Sequence, residues 1–219
     1  MTRTVRNTSN SRGSLSPNLI ANEALALIES EGMEGFSTRK LGLRLGCEAM
    51  SIYHHYPSKA HLMDALVDRT LSEIALPSST LAAPERIRHL AAEWRKLSRR
   101  YPRFYLWMAL HRWNTPTGVR FLAEVLDCFH AANLSAEQAA KAFRALGYYL
   151  LGATLEETSG YAQGPSAMNP MSEEDVKRLY PAVAIAGRYS SPDHFDEIFE
   201  MGLGILLRGF GVETQQEPG

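Results

Sequence analysis

The stretch FSTRKLGLRLGCEAMSIYHHYPSK, residues 36–59, contains two short helical segments separated by a tight turn. Ser37 is a favoured helix N-cap, and Leu41 and Leu45 recur at helical spacing on one face of the segment after it. Gly46 ends this segment, at the position where a left-handed residue is common. The second segment, at about residues 49–55, is broken by Pro57. Two short helices joined in this way predict a helix-turn-helix.

Helical patterns continue on both sides of this stretch. Ser16 and Pro17 predict the start of a first helix that ends near Gly32, and Ser58 caps a fourth helix. A linker at 77–79 follows, and further helices are expected at about 84–101, 103–112, 119–131, 135–158, 172–179 and 192–210, with a loop at 160–170. Pro181 is expected only to end the helix before it. No strand-like alternation occurs, so the sequence predicts an all-α fold.

Three helix ends in the second half carry recognisable signals. Thr117 is a possible N-cap for the helix near residue 119, and Asn133 is a plausible C-terminal cap of the same helix. Ser135 and Gln138 have the spacing of a capping box. These local signals fix where we expect the longest helices to begin and end.

Composition limits the class of protein. Of 219 residues, 45% are hydrophobic and 21% are charged, which is ordinary for a packed globular chain. No apolar run is long enough to span a membrane, and the polar start lacks a secretory signal, so we expect a cytoplasmic protein without a membrane partner. Cys47 and Cys128 have no metal-ligand spacing and are interpreted as buried small hydrophobes. The net charge of −1 does not by itself favour nucleic acid.

The side chains of the third helix point to nucleic acid more strongly than the net charge does. Only Ile52 is plainly a core residue in this helix. The others combine small, hydroxyl, aromatic and imidazole groups: Ala49, Met50, Ser51, Tyr53, His54 and His55. Such groups can contact base edges or phosphates, whereas a helix buried for stability alone should be more apolar. The alternative is a helical bundle with an accidental tight turn.

Three segments, 36–46, 51–56 and 59–66, together resemble the DNA-binding domain of the TetR family of transcriptional regulators. The resemblance implies a homodimeric repressor that binds a double-stranded DNA operator and responds to a small-molecule effector. It implies phosphate contacts from Thr38, Tyr53 and Lys59. It implies base contacts from Arg39, Ala49, Met50, Ser51, His54 and His55. The alternative roles are that Arg39 only pairs with a carboxylate and that His55 only touches phosphate.

The same interpretation divides the chain into three parts. Residues 1–15, rich in Ser, Thr, Asn and Arg, are expected to be a disordered basic tail. Residues 16–75 are expected to form the helix-turn-helix domain, whose fourth helix leads into a larger helical effector-binding and dimerisation domain at 76–219.

Segments 151–156 and 202–210 resemble, more faintly, the two dimer-forming helices of the regulatory domain in the same family. Glycines inside helices cost about 1 kcal/mol each, so close approach of another helix would explain them. The glycines and alanine concerned are Gly147, Gly152, Ala153, Gly202 and Gly209. Some of them could instead mark helix ends.

A ligand pocket is expected in the second domain, because most of the large aromatics lie there. The candidate ligand-binding residues are Trp94, Phe104, Trp107, His111, Tyr148 and Glu156. Core packing is the alternative role for each aromatic. In the family, a histidine and an acidic residue hold a magnesium–drug complex, and His111 and Glu156 partly match them. One histidine and one carboxylate are too few to predict a metal site, so we expect no metal or cofactor, and an uncharged or weakly polar aromatic effector.

Other classes of function fit the sequence less well. His111, His130 or Glu156 could do acid–base chemistry, but the chain has no nucleophile elbow, phosphate-binding loop or HExxH motif, so we do not expect an enzyme. A helical ligand-binding protein that never touches DNA, or an activator of the same fold, remains the alternative to a repressor.

Overall fold

The computed structural model describes residues 15–159 and 169–213. Within these ranges the chain forms α-helices and no strand, as the sequence predicts. The helices are α1 (Pro17–Gly35), α2 (Thr38–Leu45), α3 (Ala49–Tyr53), α4 (Lys59–Ser72), α5 (Ala83–Arg100), α6 (Pro102–Leu110), α7 (Pro116–His130), α8 (Ala136–Ser159), α9 (Glu173–Leu179), α10 (Pro181–Arg188) and α11 (Phe195–Gly209), with a 3-10 turn at Pro192–His194. The expected tail lies almost wholly outside the described residues, and so does most of the expected loop at 160–170.

The chain divides into two compact units, with the boundary inside α4 between Ala65 and Leu66. In the first unit, α1 packs on α2 and α2 packs on α3. The core of this unit is aliphatic, and its fully buried side chains include Ile20, Leu27, Ile28, Leu41 and Ile52. Burial of these side chains, at about 25 cal/mol per Å² of apolar surface, is what holds three short helices together.

The helix ends of the first unit follow the predicted caps. The Ser16 hydroxyl accepts a hydrogen bond from the Leu19 N–H (3.3 Å), and the Ser37 hydroxyl accepts one from the Lys40 N–H (3.2 Å). Gly46 has φ 67° and ψ 34°, the left-handed conformation that glycine adopts without steric cost. Gly32 also has a positive φ, 79°, and interrupts α1 three residues before its end.

The second unit is built around α8, which packs against α5, α6, α7 and α11. Its core contains the fully buried Phe104, Tyr105, Met108 and Phe129 and the aliphatic Leu203. Among the described residues, no helix has both the length and the apolar character required to cross a membrane.

One of the three predicted helix ends in this unit is confirmed, because Ser135 and Gln138 form a reciprocal capping box with N–H to side-chain distances of 2.9 Å and 3.3 Å. Asn133 has a positive φ of 62°, but the C-cap residue of α7 is Ala131. The N-cap of α7 is Thr115 and not Thr117, so that prediction was wrong. The Thr115 hydroxyl accepts the Gly118 N–H (3.0 Å), and Pro116 takes the first helical position, where no N–H is needed.

Two further expectations need correction. Pro181 does not merely end α9, because it is the first residue of α10, a position that its fixed φ suits. The described side chains of α9 and α10 are not buried, and the apolar Val183 and Ile185 of α10 are exposed. Cys128 is buried as expected, whereas Cys47 is only half-buried in the turn between α2 and α3.

Candidate nucleic-acid interface and ligand cavity

The turn between α2 and α3 is fixed by a close backbone approach at Gly42. The Cys47 N–H donates to the Gly42 carbonyl (2.9 Å), and a Cβ atom at Gly42 would lie only 2.7 Å from the Cys47 carbonyl oxygen. No larger residue can occupy this position without moving the turn. The backbone of α2 therefore determines where α3 begins.

The third helix presents its polar side chains outward because a single residue anchors it. Ile52 is fully buried, while Met50 is 64% exposed and His54 and His55 are also exposed. Ala49 and Ser51 are half-buried next to them. These residues of α3 and the turn after it are therefore at least partly accessible to a partner. The exposed side chain of Met50 is available for an apolar contact, such as one with a thymine methyl group.

Arg39 differs from its basic neighbours on α2. Lys40 pairs with Glu31 and Arg44 pairs with Glu23, whereas Arg39 is exposed and has no carboxylate partner among the residues described. The alternative role of Arg39, a simple ion pair within the chain, has no support in this arrangement. Its guanidinium is available for an external acceptor.

The residues expected to contact phosphate lie close to one another at the start of α2 and the end of α3. The hydroxyls of Thr38 and Tyr53 are 3.1 Å apart and form a hydrogen bond. Thr38 is the first residue of α2, where the backbone N–H groups of a helix N-terminus favour an anion. Lys59 is exposed, and its ammonium lies 5.2 Å above the Phe36 ring centroid, which holds the cation near the same end of α2.

The second unit contains a cavity of about 460 Å³, within the usual size range of small-molecule sites. Residues of α5, α6, α7 and α8 and of the α6–α7 connection line it. Aromatic rings dominate one wall: the Trp94 and Trp113 centroids are 5.1 Å apart, and those of Trp113 and Phe121 are 6.1 Å apart. These rings offer flat apolar surface to a ligand.

Of the predicted ligand-binding residues, the structure brings Trp94, His111 and Tyr148 to this cavity. It does not bring the other three to the lining. Phe104 is fully buried and stacks on Trp107 (5.6 Å between centroids), and Trp107 stacks in turn on His111 (4.3 Å). Glu156 is exposed on α8, outside the lining.

Several lining residues were not singled out as ligand contacts from the sequence, including Tyr105, Trp113, Phe121, Phe143, Arg112 and Arg144. Tyr105 and Trp113 belong to the aromatic-rich region from which a pocket was expected. Local periodicity does not distinguish Tyr105 and Trp113, which line the cavity, from Phe104, which does not. The distinction depends on which helices pack together, here α5 against α7 and α8.

A buried hydrogen-bond chain lies behind the aromatic wall. The Trp94 indole N–H donates to the Tyr105 hydroxyl (2.7 Å), which is 2.7 Å from the Thr154 hydroxyl. Burial raises the pKa of Tyr105, against the opposing effect of the hydrogen bonds with Thr154 and Trp94. The phenol therefore stays neutral, and its partners fix the ring that forms part of the cavity wall.

The described lining of the cavity offers no acidic ligands for a cation, since none of the lining residues within the described ranges is Asp or Glu. Across the part of the chain that the structure describes, no group of three or more His, Cys, Asp or Glu is placed to hold a metal ion.

A second surface of the same unit is apolar and exposed. On α11, Ile198, Met201 and Ile205 recur at helical spacing and are 37%, 55% and 55% exposed. Cβ atoms at Gly147, Gly152 and Gly209 would meet nothing within 4 Å, whereas one at Gly202 would lie 2.6 Å from the Tyr149 hydroxyl of the same chain. The close neighbour that explains Gly202 is therefore Tyr149, and Gly202 is a poor probe of contact with a partner.

The α6–α7 connection, which contributes Arg112 and Trp113 to the cavity, is also bonded to α4. Thr115 donates a hydrogen bond to the Asp68 carboxylate while capping α7. A Cβ at Gly118 would lie 2.9 Å from the Trp113 Cβ atom, so the connection is tightly packed on α7. Trp113 and Thr115 belong to the same short segment, so a movement of Trp113 would also affect the hydrogen bond between Thr115 and Asp68.

Both halves of the chain match models of protein families. Residues 20–66 match "Bacterial regulatory proteins, tetR family", and residues 79–214 match "Tetracyclin repressor-like, C-terminal domain". The chain is 28% identical over 204 residues to the tetracycline repressor protein class A from transposon 1721 of Escherichia coli, covering 89% of this chain and 90% of that protein. It is 30% identical over 202 residues to the class E repressor of Escherichia coli, with the same coverage.

A solved structure has the same fold. The Streptomyces coelicolor TetR family protein ActR, in complex with (S)-DNPA, superposes with a TM-score of 0.73 at 23% identity, covering 90% of this chain and 98% of that one. At this identity the match concerns the arrangement of the helices and not the ligand.

Proposed function

The chain belongs to the TetR family of bacterial transcriptional regulators, and from this premise we propose that it is a repressor released from a palindromic operator by a small-molecule effector. The observation that carries the proposal is α3, a short helix anchored by Ile52 alone, with Met50, His54 and His55 exposed beside the unpaired Arg39. Because only Ile52 packs into the core, the other side chains of α3 can face the major groove of DNA.

Residues 16–75 are assigned to DNA binding, and residues 76–219 to effector binding and dimerisation. Thr38, Tyr53 and Lys59 contact phosphates and set the register of the protein on the duplex. Arg39, Ala49, Met50, Ser51, His54 and His55 contact base edges. Phosphate contacts give salt-dependent affinity without sequence preference, and base contacts give discrimination of about 1–3 kcal/mol for a good pair.

Dimerisation takes place through α8 and α11. The exposed row Ile198, Met201 and Ile205 and the open space at Gly147 and Gly152 support a helix–helix contact with a second copy. The dimer places two copies of α3 in successive major grooves, about 34–36 Å apart. Each half-site of a palindromic operator then meets one subunit.

Induction begins in the 460 Å³ cavity. An effector stacked on Trp113 displaces the α6–α7 connection, in which Thr115 holds Asp68 of α4. Lys59 lies on the same α4, so a shift of this helix reaches a phosphate-contacting residue. An effector that binds the low-affinity state about tenfold more tightly weakens DNA binding by about 1.4 kcal/mol, and DNA weakens effector binding equally.

The DNA-binding part is tested by fluorescence anisotropy of the full chain with labelled random duplexes at several salt concentrations. A repressor binds at low salt with affinity that falls steeply as salt rises. His55→Ala should lower the affinity, whereas its control His61→Ala removes an exposed histidine that is not among the proposed DNA contacts and should leave the affinity unchanged. Absence of binding under all conditions would leave a ligand-binding protein that never touches DNA.

The effector part uses intrinsic fluorescence. The chain has three tryptophans, and two of them, Trp94 and Trp113, line the cavity. A compound that quenches this fluorescence and also releases a bound operator is an inducer. In a Leu122→Trp variant the larger side chain fills the cavity, so equal quenching in this variant would contradict binding at this site.

A further inference from the structure

The lining residues that the structure describes include three basic side chains, His111, Arg112 and Arg144, and no carboxylate. Because the two guanidinium groups are always charged, a lining that holds them without a carboxylate attracts anions and repels cations.

Among the described residues, the two arginines lack the acidic partners that Arg88 and Arg95 of the same unit have. Arg88 pairs with Glu200 and Glu213, and Arg95 pairs with Glu157. Within the described ranges, neither Arg112 nor Arg144 forms an ion pair, and both are exposed. Their guanidinium groups therefore carry positive charge that no carboxylate of the described residues neutralises.

Arg144 is held in place without being neutralised. Its Nε–H donates to the Tyr148 hydroxyl (3.2 Å), and its guanidinium lies 4.8 Å from the Tyr148 ring centroid. Since Tyr148 is itself a lining residue, these contacts keep the cation at the cavity and leave the terminal N–H groups for another acceptor.

The interior of the cavity is apolar and aromatic. Trp94, Trp113, Phe121 and Phe143 contribute rings, and the volume of about 460 Å³ accommodates a molecule of two or three fused rings. The site therefore combines a stacking surface with separate cationic groups, which is the complement of a flat apolar molecule carrying one acidic group.

Building on the proposed function, we propose that the effector is an aromatic organic anion, whose rings stack against Trp94 and Trp113 and whose acidic group is bound by Arg112 and Arg144. This differs from the uncharged or weakly polar effector expected from the aromatic content of the sequence, because that content does not reveal which arginines reach the cavity. A complex of net positive charge, such as a metal chelate, is disfavoured at this site.

The proposal is tested with two fluorescent probes that share one aromatic body. Anilinonaphthalene sulfonate carries an acidic group, and N-phenylnaphthylamine lacks it. The full chain is expected to bind the sulfonate more tightly at low salt, and this preference shrinks as salt rises because the arginines are exposed. Binding of both probes with equal affinity at every salt concentration would overturn the assignment of an anionic effector.

Variants assign the preference to the two arginines. Arg112→Gln with Arg144→Gln should weaken the sulfonate about tenfold, the sum of two partly exposed charge contacts, and leave N-phenylnaphthylamine within about twofold. Arg120→Gln, on α7 outside the lining, removes one positive charge where the double variant removes two, and should change neither probe. An unchanged sulfonate affinity in the double variant would overturn the role of Arg112 and Arg144.

Failure of this proposal is distinguishable from failure of the proposed function. Loss of both probes in Leu122→Trp, which fills the cavity, supports binding in the cavity whatever the charge preference. Probe binding that Leu122→Trp does not affect would refute both the charge assignment and the effector site. Anisotropy with duplex DNA, measured on the same wild-type protein, tests repression independently of either result.

Discussion

Replacement of Gly42 by alanine tests whether the turn between α2 and α3 positions the DNA-reading helix. The new Cβ atom would lie 2.7 Å from the Cys47 carbonyl oxygen, 3.3 Å from the Ala49 nitrogen and 3.4 Å from the Glu48 carbonyl carbon. These are backbone atoms, so no side-chain rotation relieves the overlap. Overpacking of this kind costs about 1–3 kcal/mol, and the better helix propensity of alanine returns about 1 kcal/mol. The net loss of stability is up to about 2 kcal/mol.

The larger effect is expected on DNA binding, because relief of the overlap moves the start of α3. We expect Gly42→Ala to lower operator affinity by at least about tenfold. Gly187→Ala is the matched control, since a Cβ there meets nothing within 4 Å. Urea denaturation followed by circular dichroism gives the stability, and anisotropy gives the affinity. If Gly42→Ala is as stable as Gly187→Ala and binds DNA equally well, the turn does not position α3.

Four further substitutions probe other parts of the account. Lys59→Ala should weaken binding to all duplexes alike and lower the salt slope by about one, and a loss confined to one sequence would contradict a phosphate contact. Arg39→Ala should relax preference at one symmetric pair of operator positions in a selection from randomised DNA, with non-specific affinity within about tenfold, whereas an unchanged consensus would refute base reading. Gly209→Leu should lower dimer affinity in sedimentation experiments, because its Cβ position is open within the chain, and unaltered dimerisation would exclude that face. Thr154→Val removes a buried hydrogen bond to Tyr105 and should lower the free energy of unfolding by about 1 kcal/mol, so an unchanged unfolding curve would exclude a stabilising role.

Helix ends were the most predictable features of the fold, because caps depend on hydrogen bonds between residues close in the chain. Ser37, Gly46 and the pair Ser135 and Gln138 all behave as their spacing predicts. Thr115 was missed although it precedes Pro116 as Ser16 precedes Pro17, and proline at the first helical position marks the residue before it as the cap. Local sequence therefore locates a helix start to within about two residues.

The cavity was less predictable, because it depends on which helices face each other. Trp94 and Tyr148 line it, whereas Phe104 is equally aromatic and lies in the core. Glu156 was matched by resemblance and is exposed outside the lining. Gly202 illustrates the same limit, since the atom that explains it belongs to Tyr149, which is remote in sequence.

The surface proposed to read DNA was less predictable than the helix ends and more predictable than the cavity. Its residues are contiguous on α2 and α3, so one motif contains nearly all of them, and a single buried residue, Ile52, is enough to predict which sides of α3 face outward. The hydrogen bond between Thr38 and Tyr53 crosses from one helix to the other and required the structure.

The central claim is that α2 and α3 read a DNA operator, and the most direct test is a selection from randomised duplex DNA with the full chain at moderate salt. We expect enrichment of a palindrome whose half-sites are about 34–36 Å apart, centre to centre, with affinity for the selected site that falls as salt rises. Recovery of no consensus, together with no salt-dependent binding to any duplex, would contradict the claim that this protein acts on DNA.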